Sequence, residues 1–436
     1  MPYRTIPNTD GRYFMLVVDQ QGDELAKDPD AANCMLSQRL LQHLRNEAFS
    51  DLFIWIHGWK GAVPDAIDQF DRWIGAFNRN HDDYQRMLAK RPAFKACHLG
   101  FHWPSLSWGD EQVSSGNSFS PTAQGTVEER VAFHAAELGD TPAVRASLHR
   151  LFEEARTHAG ADYLTDNARQ AYLALNFALE LGANGQAGNG SEDRETFDPD
   201  QAFDSAEVIG TDFGGLSNQL LAPLRQLTFW TMKKRARVVG ERCLHRLLLS
   251  LQHDRSDLRI HLMGHSFGCI VASASLVGPE GKVPLPNAVD SCVLVQGALS
   301  HWAYASKIPY GTDVRGYFSQ LLSSQKVKGP LAITRSIHDY AVGKIYPWAA
   351  GVANQVAYDL TTLPRYGAIG AHGICGVATA EYLKMLPASD AYTFKANGIY
   401  NVDASAYIKD VSDGLSGAHN DIDGKEVAHL IWEAAL

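Results

Sequence analysis

Two rhythms of apolar residues alternate along this chain. Short runs rich in β-branched and aromatic residues, Phe14 to Val18, Leu52 to Ile56, Cys97 to Trp103, Ile260 to Met263, Ser291 to Val295 and Leu331 to Thr334, predict strands. Leu52 to Ile56 hardly alternates with polar positions, the pattern of a parallel strand buried on both faces. Between these runs the spacing becomes helical. Met35, Leu36, Leu40, Leu41 and Leu44 mark one helix, and Ile67, Phe70, Trp73, Ile74 and Phe77 mark another, from Asp65 to Phe77. A long amphipathic helix from Leu224 to Gln252 and an apolar one from Cys269 to Leu276 flank the fourth strand. Tyr392 to Val402 reads as the last strand, and Glu426 to Ala434 as the closing helix. Strand and helix in this alternation predict an α/β fold built on a doubly wound, mostly parallel sheet.

From Leu106 to Ala222 the rhythm changes. Three helical stretches, Val127 to Leu138, Val144 to Thr157 and Ala168 to Leu181, are joined by polar loops, of which Gly182 to Ser191 is rich in glycine and asparagine. The chain therefore divides into 1–105 and 223–436, two parts of one core, with 106–222 as a helical insertion. No repeat of solenoid length interrupts this order.

Gly264-His265-Ser266-Phe267-Gly268 stands between a predicted strand and a predicted helix. A serine hydroxyl is a weak nucleophile until a tight turn presents it beside a base, and flanking glycines let the backbone turn without a clashing Cβ. With His57-Gly58 ending an earlier strand, this stretch resembles the α/β-hydrolase superfamily, and the resemblance covers most of the chain apart from the insertion. The resemblance implies a Ser-His-Asp triad in the chain order serine, acid, histidine. Asp339 follows the strand Leu331 to Thr334, at a strand's carboxyl end where open α/β sheets gather their sites, and His419 lies in a turn-rich loop just before the final helix. Ser266, Asp339 and His419 are the expected catalytic residues. His372 is the rival base; Asp359 and Asp403 are the rival acids. In the family, one oxyanion donor is the residue after the nucleophile, here Phe267, and the other lies in the loop after the strand ending in His-Gly, here Trp59, or Lys60 one residue on. His57, Gly58, Trp103 and His265 are expected to shape the substrate pocket. The insertion is expected to form a helical cap over Ser266 that supplies apolar side chains for an acyl group.

Composition narrows the remaining classes. Among 436 residues, 45% are hydrophobic and 20% charged, ordinary values for a globular enzyme. The net charge of -10, with no compensating basic block, argues against a nucleic-acid or anionic-membrane partner. The cluster Lys233-Lys234-Arg235-Ala236-Arg237 reads as a solvated helix face. Six scattered cysteines, none at C-x-x-C spacing, signal neither a zinc site nor a redox dithiol, and no nucleotide-binding or metal-ligand motif is present. No cofactor and no metal is expected. The polar N-terminus and the absence of a long apolar run imply a cytoplasmic protein without a membrane span. The expected activity is cleavage of a small-molecule carboxylic ester by way of an acyl-enzyme. Amidase, thioesterase and lipase activity use the same constellation, a lyase or transferase differs only in the acyl acceptor, and a non-catalytic hydrolase-like binding protein is the rival class. The oligomeric state leaves no mark in the pattern.

Overall fold

A computed structural model describes residues 3–7, 9–25, 34–59, 63–105, 125–158, 161–181, 194–205, 219–310, 314–351, 363–411 and 416–436. Nine strands form one sheet: β1 (Tyr3–Thr5), β2 (Arg12–Val17), β3 (Asp51–Ile56), β4 (Ala96–His102), β5 (Arg259–His265), β6 (Ser291–Val295), β7 (Leu331–Arg335), β8 (Ala380–Lys384) and β9 (Ile399–Asp403). Their order is β1-β2-β4-β3-β5-β6-β7-β9-β8, and every pairing is parallel except β1 with β2.

The period of two along β3 sorts the core. Leu52, Ile54 and Ile56 join the apolar layer on one face, and Phe53 and Trp55 join the layer on the other. Helices α1 (Leu36–Asn46), α8 (Ala222–Val239), α9 (His245–Asp254) and α10 (Gly268–Val277) cover the first face. Helices α2 (Val63–Arg79), α3 (His81–Lys90) and the C-terminal helix Lys425–Ala435 cover the second. Both faces are buried, so the central strands have no polar side to alternate with.

The described part of the insertion carries α4 (Val127–Leu138), α5 (Pro142–Thr157), α6 (Asp166–Ala178) and α7 (Pro199–Asp204). Thr126 caps α4 with a full capping box, which satisfies backbone donors that the first turn leaves orphaned. Leu148, Leu151, Phe152, Tyr172, Leu175 and Phe203 of these helices belong to the same apolar cluster as Leu224, Leu227 and Trp230 of α8. The insertion thus shares the core.

That packing corrects the solvated-face reading of the basic cluster. Lys233 and Arg235 are buried among segments distant in sequence. Lys233 Nζ donates to Tyr346 Oη at 2.7 Å and lies over the Trp230 ring. Arg235 donates to the Pro104 and Glu137 carbonyls, and burial pulls its guanidinium down to about 10.

Two other boundaries differ from the sequence pattern. The helix expected from Leu224 to Gln252 is interrupted by a π turn over Gly240–Leu244, where it crosses α10. The run from Tyr392 is a strand only over Ile399–Asp403. Tyr392 N–H donates to the Glu433 carboxylate instead of a neighbouring strand, and Asn397 takes a left-handed turn just before the ladder begins. No helix among the described residues is long and apolar enough to cross a membrane.

Candidate active site

The carboxyl ends of β3, β5, β6 and β7 converge on one edge of the sheet. Ser266 follows β5 with φ +54°, a left-handed conformation rare for a residue with a Cβ, and α10 begins two residues later. The turn is tight enough that a Cβ on Gly268 would run into the Ile56 and His57 carbonyls. Ser266 is 5% exposed, and its own carbonyl accepts the Ala298 and Cys269 N–H groups, so the hairpin-like corner is held from both sides.

His419 reaches this serine from the loop before the C-terminal helix. The Ser266 hydroxyl donates to His419 Nε2 at 2.8 Å, and His419 Nδ1 donates to Asp339 Oδ2 at 2.7 Å. A carboxylate accepts only, so the ring proton sits on Nδ1 and the Nε2 lone pair faces the serine. An imidazole held in this tautomer can take the serine proton as attack begins. Asp339 is fully buried, with its other oxygen accepting the Val342 N–H at 3.1 Å. The two loops are stitched together by an isolated bridge between Asp339 and Gly417 and by the Ala418 N–H donating to the His338 carbonyl.

No protein family, characterised protein or solved structure matches this chain.

The other expected site residues lie around this hydrogen-bond chain. The Phe267 N–H opens α10 and meets no acceptor among the described residues. The Trp59 ring stacks on the Phe267 ring at 5.7 Å, and Phe229 of α8 packs edge-on against both. Trp59 and Phe267 therefore share one corner beside Ser266; Lys60 lies outside the described residues. Gly58 runs directly past the serine.

His57 and Trp103, expected to shape the pocket, are fully buried. His57 Nδ1 donates to the Gly58 carbonyl at 2.8 Å, and its Nε2 accepts the Trp103 N–H at 3.2 Å. The Trp103 indole donates to the His57 carbonyl at 3.0 Å. These bonds brace the loop that carries Trp59. His265 is also buried: its Nε2 donates to the His419 carbonyl at 2.9 Å, which leaves Nδ1 to accept from Gln69 Nε2 at 3.0 Å.

The rivals point elsewhere. His372 packs edge-on against His301, and burial together with Arg335 pushes it down to about 4. Asp403 binds Arg335 and Ser405, and Asp359 lies outside the described residues. Gln296 carries no motif in the sequence, yet it donates to Asp339 Oδ2 at 2.8 Å; no pattern in the chain could have singled it out.

Among the described residues, one group has metal-ligand chemistry: Asp83, His429 and Glu433, whose ligand atoms lie within 4.8 Å of one another. Arg86 of α3 sits among them, pairing with Asp83 and lying 3.5 Å from Glu433. A guanidinium already supplies the positive charge that a cation would bring.

Proposed function

We propose that this protein is a serine hydrolase of the α/β-hydrolase type that cleaves carboxylic esters through an acyl-enzyme intermediate. One observation carries the reading: an unbroken hydrogen-bond chain from Ser266 through His419 to Asp339, with the serine on a strained turn between β5 and α10.

Ser266 Oγ attacks the ester carbonyl carbon while its proton passes to His419 Nε2. The negative charge that develops on the carbonyl oxygen is met by the Phe267 and Trp59 N–H groups, at the positive end of α10. Collapse breaks the carbon–alkoxide bond, and the His419 proton leaves with the alcohol. Water then gives a proton to His419 and attacks the acyl carbon, and the second collapse returns that proton to Ser266 Oγ with release of the acid. Asp339 holds the imidazole tautomer and offsets the imidazolium charge in both halves.

In this reading the insertion is the cap. Its support is local: the Glu195 N–H donates to Ala350, Gln201 to the Gly351 carbonyl, and the Trp348 indole to Ser205. These contacts tie the insertion to the segment that follows Asp339. The rings of Trp59, Phe229 and Phe267 give the neighbouring wall an apolar character suited to an acyl group.

Turnover of an activated ester and labelling by a fluorophosphonate test the reading. Ser266→Ala and His419→Ala are expected to lose activity on the order of a million-fold with unchanged melting, because the members of one triad act as a unit. His372→Ala is expected to retain most of the rate. Activity surviving in Ser266→Ala, or a label mapped to another residue, rejects the assignment.

A further inference from the structure

Gln296 follows β6 directly, is fully buried, and holds φ +48°. A strained, buried, non-glycine position persists only where its surroundings fix it, and such positions gather at active sites. Here the surroundings fix the side chain as well. The Gln296 N–H donates to Thr334 Oγ1 at 3.0 Å, and the Thr334 hydroxyl donates in turn to Gln296 Oε1 at 2.9 Å. With the carbonyl end of the amide so engaged, Nε2 is the end turned toward Asp339. It donates to Oδ2 at 2.8 Å, the same oxygen that accepts the His419 Nδ1–H.

We propose that Gln296 is a positioning residue of the Ser266–His419–Asp339 chain, acting on His419 through the Asp339 carboxylate. The inference rests on reading these three residues as a hydrolase triad. A fully buried carboxylate has no water to solvate it, so its charge is sustained by donors: Val342 N–H on one oxygen, Gln296 and His419 on the other. Two donors converging on Oδ2 fix the plane of the carboxyl group and therefore the ring of His419. Gln296 also draws charge from Oδ2, which weakens the pull of that oxygen on the Nδ1 proton and keeps the proton on the histidine. Thr334 sets the amide and so belongs to the same device.

The test uses Gln296→Met, which keeps the length and removes the donor, and Thr334→Val, which keeps the shape and removes the hydroxyl. His419 ring signals are followed by NMR across pH, assigned by their loss in His419→Gln. In Gln296→Met the imidazole is expected to titrate about one pH unit higher than in the parent, a tenfold gain in proton affinity, because Oδ2 recovers the charge it had shared. Turnover of an activated ester is expected to fall at least about tenfold in kcat with KM unchanged, as for loss of a hydrogen bond to a charged group. Thr334→Val moves both readings the same way by less.

Gln296→Glu supplies a further readout. Two adjacent buried carboxyl groups share one proton, which replaces the lost donor until it dissociates. This variant is therefore expected to lose kcat on the alkaline side at a lower pH than the parent does. A folded Gln296→Met whose His419 titration coincides with the parent's overturns the proposal; if that variant does not fold, an unchanged titration in Thr334→Val does so. The titration needs no turnover, so it separates this inference from the triad reading, which fails on its own if the parent is not labelled at Ser266.

Discussion

Gly58 leaves no room for a side chain beside the serine: a methyl group there would come to 2.7 Å from the Ser266 Cβ and 3.0 Å from His265 Nδ1. Neither neighbour can yield without moving the strained turn or the clamp that His265 places on the His419 carbonyl. Gly58→Ala is therefore expected to keep the fold but lower kcat/KM on an activated ester about 100-fold, the usual penalty for misplacing a reacting group by about 1 Å. Kinetics alongside thermal melting check this. Unchanged turnover in the variant contradicts the placement of this loop against Ser266. At this scale the residues around the Ser266–His419–Asp339 chain are spent on geometry, with His57, Trp103 and His265 each satisfying internal partners.

The C-terminal helix is anchored by a buried charge network. His429 is fully buried, with Nδ1 at 2.9 Å from the Asp83 carboxylate and Nε2 at 2.7 Å from the Asp390 carbonyl. Asp83 and the Asp390 carbonyl only accept, so both favour the charged ring. Burial opposes that charge, but the bonds to Asp83 and Asp390 and the nearby Glu433 outweigh it and raise the histidine above 6.5, despite Arg86 at 3.1 Å. Because the folded state binds this proton more tightly than the unfolded chain, the stabilisation is complete below 6.5 and is lost as pH climbs through the raised folded value. The parent is thus expected to melt well above His429→Gln at acid pH, with the gap narrowing in the alkaline range. Melting curves across that range check the sign; a gap that widens with pH refutes it.

At the scale of the whole molecule, the described part of the insertion and the sheet share one apolar cluster. Tyr172, Leu175 and Phe203 of the insertion pack in a continuous apolar cluster with Leu224, Leu227 and Trp230. Exposing side chains of this size costs about 2 kcal/mol each, and a folded domain holds only about 10 kcal/mol in reserve. A chain with 106–222 excised and bridged is expected to lose cooperative folding, read by circular dichroism and size-exclusion chromatography. A truncated chain that melts like the parent shows instead that the insertion is a separable domain.

The amino-acid sequence by itself determined the strand and helix rhythm of the core, because burial on both faces leaves uniform apolar runs such as Leu52 to Ile56. It also singled out Ser266 by its strand-turn-helix setting, and the resemblance carried by that setting led to Asp339 and His419 through chain order and their places after a strand and before the last helix. It could not show β8, whose Ala-Glu-Tyr-Leu-Lys pairs only with β9 and presents largely exposed side chains, so it lacks an apolar pattern. The burial of Lys233 and Arg235 was likewise hidden, because it depends on partners far off in sequence, Tyr346 for Lys233 and the Pro104 and Glu137 carbonyls for Arg235. Tertiary structure alone decided that His57 and Trp103 brace the loop that carries Trp59 and that Gln296 meets Asp339, 43 residues on. Side-chain direction and cross-strand partners are set by how strands stack in the sheet, and that information belongs to pairs of residues with no local signature in either one.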